Sequence, residues 1–596
     1  MYQFKCRGYQ LNEKTVGRTP LVLVQIDQDF CNLTYGVSPC TALNPSNKCF
    51  NTYATCQVQE VFDRGVKTLT FGKPESDLPR DINILPMLTS VTTAPTKINP
   101  TNGNSNISPL GQRAVATITF LDAPYSDLLT DKYRSDRTYI PLQNGTFWTK
   151  WLVRNPYYQN RPLRIYEGYL GQAIEDMQVR HYLIDTITGP DSNGKVSIVA
   201  KDPLKLADKQ KSQAPVLTTG ELNAAINSTQ TTITIIKAQL TDYPSSGTVR
   251  IDDEILTYTS KTNIGTVDDP IIQLSGITRG TDGSLADEHG IDANVQLCLR
   301  YTDVQVWDVA YDLLTTYAKI PASYIPYADW EAEGLVWLPQ FNVTTLITEP
   351  TGVDDLMYEL MEQVLFYIWW DERDQEIKLR AIRPIIGDAP VFTDDANIIE
   401  NSASFSTDPK NRVSQVWVYY NQKNRAEEVD KATNYQQIEL RADLDAESDN
   451  QYGESRIRKI YARWIQNNAQ AINLAARLLG ASFNNPKYMK IRVDAKDRAI
   501  WTADIVDIYN RNIVNFNGQQ ELERYQILSV QEVVSGEVIE YEMQKFLFRG
   551  TRFGFYMAAD APLYVDATPE QRAAPSGWFA DALGLMPDGS EGWEYQ

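Results

Sequence analysis

At 596 residues the chain has room for roughly four domains of about 150 residues each, ample for sizeable cores. Its 56 Lys and Arg against 76 Asp and Glu leave a net charge of −20, which disfavours a protein that grips nucleic acid through a basic footprint. No apolar run approaches the roughly 18 residues of a membrane span, so the expectation is a protein not integral to a membrane, while 33 Tyr and 12 Trp suit a β-rich assembly with large interfaces.

The chain opens on a cysteine cluster. Cys31, Cys40, Cys49 and Cys56 fall within 26 residues as C-x8-C-x8-C-x6-C, while Cys6 and Cys298 stand apart. Four thiolates converging on one place are what an iron-sulfur cluster or a structural zinc requires. Zinc ribbons and fingers take paired ligands two to four residues apart, and no such pair exists in this run. Two local disulfides are the alternative, and they would suit a secreted domain, but the opening MYQFKCRGYQ lacks the apolar segment of a secretory signal. The cysteine module is expected over residues 1–80, from the alternating stretch Leu21 to Ile26 through KTLTFGKPESDLP.

A polar, turn-rich segment, TKINPTNGNSNISPLGQ, reads as a long loop. The alternating AVATITF of Ala114 to Phe120 predicts a strand stopped by Asp122 to Pro124. Phe147 to Arg154, Leu163 to Tyr166 and Tyr182 to Thr188 read as further strands, and the turn PDSNG leads into VSIVAKD. Short strands divided by turn chemistry predict a small β-barrel over 81–215. Residues 216–300 then carry period-two strands with little helical pattern and read as an inserted small β domain. Its triplet Asp252-Asp253-Glu254 is expected to be a hairpin turn followed by an inward-facing Glu rather than a metal site, and His289 is expected to be structural.

Helical period begins after the insert. Val306, Val309, Ala310, Leu313, Leu314 and Tyr317 predict a helix over about 303–319, and Leu356, Met357, Leu360 and Met361 another from Asp354 to Gln363. The second feeds VLFYIWW, and the turn DERDQ reverses into EIKLRAI as a hairpin, completing an α+β domain over 301–410 in which Trp369 and Trp370 belong to core and interface. Strands at Ser414 to Tyr420 and Tyr435 to Arg441, helices near Ser455 to Ile465 and Ala469 to Leu479, and the alternating runs IRVDAKDRAIWTADIVDIYN and RYQILSVQEVVSGEVIEYEMQKF predict a second β-barrel over 411–556. The last segment, 557–596, is rich in Pro, Gly and Ala, carries Trp578 and Trp593, and is expected to order only against a partner.

Catalytic signatures are scarce. His181 and His289 are the two histidines; neither sits in HExxH, and no G-x-S-x-G elbow, Walker loop or dinucleotide fingerprint occurs. Paired carboxylates of a glycosidase depend on the fold and stay open. The expectation is a protein that is not an enzyme.

Several of these motifs carry a resemblance. The cysteine run, with its long middle spacers and final C-x6-C, resembles the pattern of tail tip proteins from lambda-like siphophages, whose C-terminal domain carries a 4Fe-4S cluster; here it lies at the N-terminus, as a permuted or differently fused module. Gly145 to Asp208, with RNPYY-x-x-RPLR-x-x-EGY and a closing AKDPL, resembles the N-terminal barrel of a family of tailed-phage tail proteins. Gly247, Ile251, Glu254, Tyr258, Arg279, Gly280 and His289 resemble a small β domain inserted in phage tail and fibre proteins. The helix-then-hairpin unit and WTADIVDI are similar to elements of tail hub and spike families. What the resemblance implies is a tail tip hub related to baseplate hubs and to gene transfer agent hubs, mainly β with α+β parts and two barrel-like hub domains. Cys31, Cys40, Cys49 and Cys56 would hold the 4Fe-4S cluster, with zinc or disulfides as the alternatives. The implied assembly is a homotrimeric ring in the virion tail tip, built in the host cytoplasm and joined to a distal tail or tube protein, a tape measure protein, and tail fibre or receptor-binding proteins. DNA would pass its weakly acidic or neutral lumen without specific binding. A receptor- or carbohydrate-binding adhesin and a tail-borne cell-wall hydrolase are the competing readings.

Overall fold

A computed structural model describes residues 18–545, apart from 45–46, 75–77, 80–81, 100–110, 209–211, 340, 384–388, 408–411, 450–451 and 483–486. Cys6, the middle of the polar loop and the segment from 557 lie outside the described residues. Strand makes up 41% and helix 17%, so the mainly β expectation stands. The sheets are several, and among the described residues none closes into a barrel.

The first sheet contains β1 (Pro20–Cys31), β2 (Arg64–Gly72), β3 (Ile84–Leu85), β4 (Leu88–Ala94), β5 (Val115–Leu121), β6 (Pro162–Tyr169), β7 (Gln178–Thr188) and β8 (Lys195–Lys201). Its order is β3-β2-β1-β6-β7-β8-β5-β4. The two edge strands are neighbours in sequence, so the sheet must curl to bring them together, yet no ladder joins them. Two expectations are corrected here. β1 and β2 flank the cysteine run, and β1 pairs with β6 from Pro20↔Tyr169 to Ile26↔Leu163; the boundary expected at residue 80 therefore falls inside one sheet. Phe147–Arg154, expected as a strand, is a helix. Its buried residues Phe147, Trp148 and Trp151 lie on one helical face. Asp122 fixes the start of that helix by accepting from the Trp148 N–H at 2.9 Å and from the Thr146 hydroxyl, as an anion at a helix N-terminus does. Trp148 then stacks on Phe71 and meets Phe120 inside the curl.

Residues 221–297 form a four-stranded and a three-stranded sheet around their own core of Leu222, Ile233, Ile235, Tyr243, Val249, Ile251, Leu256 and Leu274. Where this insert leaves and rejoins the chain, Ala214 pairs with Thr351 and Leu299 with Ile347. Those partners are close in sequence, so a short linker spans the gap. Replacing 216–298 with a few Gly and Ser residues should leave the remainder folded and soluble, by circular dichroism and size-exclusion chromatography; loss of soluble protein would make the insert part of the main core.

The largest core follows. Strand Leu299–Gln305 runs into a helix at Val306–Asp312 that continues in wider turns to Tyr317, two elements where one helix is expected. Helix Val353–Val364 buries Leu356, Met357, Leu360 and Met361 as expected, and the hairpin Phe366–Asp371/Glu376–Ala381 packs beside it. Trp370 enters this core and Trp369, on the opposite face of the strand, enters the next. The helix Tyr327–Trp337 has no strong apolar stripe to announce it. It is held by close approach at Gly334, where a β-carbon would lie 2.0 Å from the Trp307 ring.

The second large sheet orders Val391–Thr393, Ile505–Val514, Gln520–Val534, Val538–Lys545, Lys487–Asp494 and Ser404–Thr407. Like the first, it is antiparallel except for one edge pair, and its edge strands come from nearby segments. A three-stranded sheet beside it corrects another expectation: Ile457–Ala462, within the predicted helix Ser455 to Ile465, is a strand parallel to Gln415–Tyr420, burying Ile460 and Ala462 alternately. The helix Asn468–Ser482 agrees with its apolar period, burying Ala471, Leu474, Ala475 and Leu478.

Candidate cluster-binding site

The cysteine run is the long connection between two paired strands. Cys31 closes β1 opposite Arg64 of β2, so residues 32–63 form a loop anchored at both ends on the first sheet. Such a loop has little core of its own and must be tied by specific contacts. The Cys31 N–H donates to Asn51 O at 2.7 Å, drawing the second half of the loop back over its start. Asn51 reaches this position in the left-handed region, φ 58°, which Asn tolerates better than most side chains. The connection between β5 and β6 supplies the other ties. Arg137 donates to the carbonyls of Lys48 and Cys49 at 2.8 and 2.9 Å, and both Arg137 and Arg154 lie over the Phe50 ring, at 3.9 and 3.7 Å from its centre. The Tyr133 hydroxyl accepts from the Tyr35 N–H at 2.7 Å.

These ties bring Cys31, Cys40, Cys49 and Cys56 to the wall of one cavity, completed mainly by Leu33, Val58, Val61, Phe62 and Tyr133. All four are free thiols. Burial pushes the Cys49 and Cys56 thiols up, and the other sulfurs of the cavity add to the effect. Backbone N–H groups oppose it: Asn51 N–H points at the Cys49 sulfur and Val58 N–H at that of Cys56, in each case from two residues downstream. These donors favour the thiolate, and a cation in the cavity would complete the shift. Among the described residues no three His, Cys, Asp or Glu side chains converge as for a single metal ion. A single zinc needs its sulfurs about 2.3 Å from one centre; a cluster, giving each thiolate its own iron, accepts them further apart. Four thiols lining one cavity are the donor set that a four-iron cluster takes.

The remaining candidates fall elsewhere. Cys298 is buried in the insert, its thiol pushed up to about 12 by burial. His181 lies on β7, lowered to about 4 by burial. Asp252 and Asp253 form the turn between Ile251 and Glu254, which pair across it, and Glu254 points inward as expected. It accepts from Arg279 Nε and Nη2 at 2.7 and 2.6 Å and from the N–H groups of Gly280 and Asp287. His289 Nε2 lies 2.9 Å from the same carboxylate, and Nδ1 lies 2.8 Å from Asp252. An open groove carries Glu359, Glu362, Glu428 and Asp430, but Glu359 is bound by Arg463 at 2.6 and 3.0 Å and Glu362 by Arg458 at 2.7 Å. The sequence reading missed Asn51, Arg137, Arg154 and Tyr133; only Asn51, two residues past Cys49, carried a local signal.

No protein-family model and no curated protein matches the chain. Among solved structures it is similar to a tail protein from Neisseria meningitidis MC58, at 10% identity and TM-score 0.34 over 77% of this chain and 97% of that one. It is also similar to the prophage tail protein gp18 from Listeria monocytogenes EGD-e, at 9% and 0.32 over 81% and 91%, and to a chain of a PdpA-VgrG complex, at 8% and 0.32 over 91% and 67%. Likenesses this loose carry no function to this chain.

Proposed function

We propose that the chain is a structural hub of a phage tail tip and not an enzyme, with Cys31, Cys40, Cys49 and Cys56 holding one 4Fe-4S cluster that braces the 32–63 loop. When bound, the cluster would supply cross-linking of a coreless loop rather than a reaction step. The observation that carries the site is the meeting of the four thiols at one cavity. The observation that supports the hub is the pair of large sheets, each antiparallel save for one parallel edge pair, which joins the resemblance at Gly145 to Asp208. Two such lobes per chain let three chains present six, matching a sixfold tube without six subunits. The proposed neighbours are a tube or distal tail protein, a tape measure protein and a fibre or receptor-binding protein. The net charge of −20 suits a conduit that guides DNA without holding it.

An averaged image of the native particle tests the hub reading. Three copies at the tail tip around an open channel are expected. One, two or six copies, or a channel lined mainly by Lys and Arg, would count against it.

A further inference from the structure

Between the two large sheets lies a buried charge cluster that neither the cysteine cavity nor the hub reading uses. Arg180 on β7 has a side chain with 0% exposure and meets three carboxyl groups from separate parts of the chain, none more than 4% exposed. Its Nε donates to Glu167 Oε2 on β6 at 3.0 Å and its Nη1 to Glu372 Oε2, in the hairpin turn, at 3.2 Å. Its Nη2 lies 3.6 Å from Glu532 Oε1 on Gln520–Val534. Arg498 binds Glu532 from the other side, and the Gly536 N–H donates to Glu532 Oε2 at 3.1 Å. Glu372 also accepts from the Tyr182 hydroxyl at 3.2 Å and from the Thr96 N–H and hydroxyl at 3.3 Å. Trp501 closes the cluster beneath Arg180 and Arg373, and Asp202 is the next acid beyond Glu372.

Three carboxyl groups thus face the two guanidinium groups bound to them, and Arg373 over Trp501 and Asp202 beyond Glu372 add one charge of each sign. With every acid ionised, one buried negative charge would stand uncompensated, which is costly in a dry site. Glu167 and Glu532, held against the same Arg180 guanidinium at 3.0 and 3.6 Å, relieve it when one of them keeps a proton. Burial, with the Glu532 carboxylate adding to it, holds Glu167 up to about 7. Burial acts in the same direction on Glu532, but Arg498 and Arg180 outweigh it and keep that carboxyl below its usual range.

We propose that Glu167 and Glu532 share one proton across the joint between the two sheets, and that losing it loosens the joint, so that the cluster is a proton-operated latch. The contacts it would release are on the page. The Tyr169 hydroxyl donates to Gly536 O at 2.8 Å, Gln531 Nε2 to Thr93 O at 3.3 Å, and the Ile98 N–H to Leu528 O at 3.0 Å. The sign follows from linkage. Glu167 holds in the folded chain a proton that the unfolded chain gives up near 4.5, so the stabilisation is complete below that value and is lost as pH rises through about 7. The latch is closed in mild acid and opens above neutrality.

Amide hydrogen exchange of the full chain, corrected for its intrinsic pH dependence, tests this. Between about pH 5.5 and about pH 8.5, peptides containing Tyr169 and Gly536 should gain about tenfold in rate, the equivalent of one pKa unit, while peptides of the insert should not. Glu167→Gln keeps a donor and cannot ionise, so it should abolish the gain. A flat wild-type profile, or an unchanged gain in E167Q, would overturn the latch. Should E167Q not fold, infrared spectroscopy of the unaltered chain with isotopically labelled Glu decides: a protonated carboxyl band that disappears across neutral pH is expected, and its absence at about pH 5.5 sinks the proposal.

Discussion

Purified without oxygen, the chain should be brown, with broad visible absorbance and about four irons per chain, as four-thiolate ligation of such a cluster requires. Changing any one of Cys31, Cys40, Cys49 and Cys56 to Ser should remove most of the iron, because each thiolate at the cavity wall would hold a separate iron. Cys6→Ser and Cys298→Ser should keep it; Cys298 lies in the insert and is buried away from the cavity. Loss of the cluster should also make residues 32–63 the first site of limited proteolysis, since Cys31 is fixed by β1 while Cys40, Cys49 and Cys56 sit on loop. Curled strands of the first sheet should stay protected, their core of Phe71, Phe120 and Trp148 being independent of the loop. Arg137→Ala removes the cap on the Lys48 and Cys49 carbonyls and should lower iron occupancy several-fold, as loss of supporting contacts around a metal site does. Colourless protein carrying zinc, or disulfides among these four residues by mass spectrometry, would refute the cluster.

Where side chains alternate over one uninterrupted strand, the sequence was readable. Val115–Leu121 and Lys195–Lys201 bury every second residue, and helices with a full apolar stripe, Val353–Val364 and Asn468–Ser482, were found within a residue or a few at each end. The misreadings share a cause. Phe147–Arg154 and Ile457–Ala462 are short, and in a short apolar run the helical and strand periods overlap, so tertiary partners decide. For the first the partner is the interior of the curled sheet, and for the second it is the exposed flank of Gln415–Gln422. Sheet membership was also illegible, because β1 finds β6 across more than a hundred residues and nothing local marks the pairing. In the site, the thiols could be read because cysteine is rare in this chain. The arginines that clamp the loop could not: Arg137 and Arg154 have no distinguishing spacing and acquire their role only when the sheet brings them to Phe50. The charge cluster around Arg180 was invisible for the same reason, its members coming from β6, β7, a hairpin turn and the second sheet.

Glu254→Ala should be the most damaging single change in the insert. The carboxylate is buried and receives Arg279, two backbone N–H groups and His289, so its removal leaves the Arg279 guanidinium, 7% exposed, with backbone carbonyls but no counter-ion. Breaking a buried pair by deleting one partner typically costs about 3–5 kcal/mol, more than the pair itself contributes. Proteolysis within 216–300 should therefore accelerate about a hundredfold or more, at about 1.4 kcal/mol per tenfold, while the rest of the chain, with its separate cores, is cut no faster. The wild-type insert should also be acid-sensitive with a defined sign. Burial opposes ionisation of Glu254, but Arg279, the Asp287 N–H and His289 hold it down at about 2. A carboxylate depressed in the folded state stabilises at pH above its ordinary value of 4.5 and loses that contribution as pH falls toward about 2. Glu254→Gln, which keeps the shape but has no proton to gain, should start less stable near neutrality and show a shallower decline over the same acid range. Equal acid slopes in wild type and E254Q, or unaltered cleavage in E254A, would show that the network around Glu254 fills space without holding the insert together.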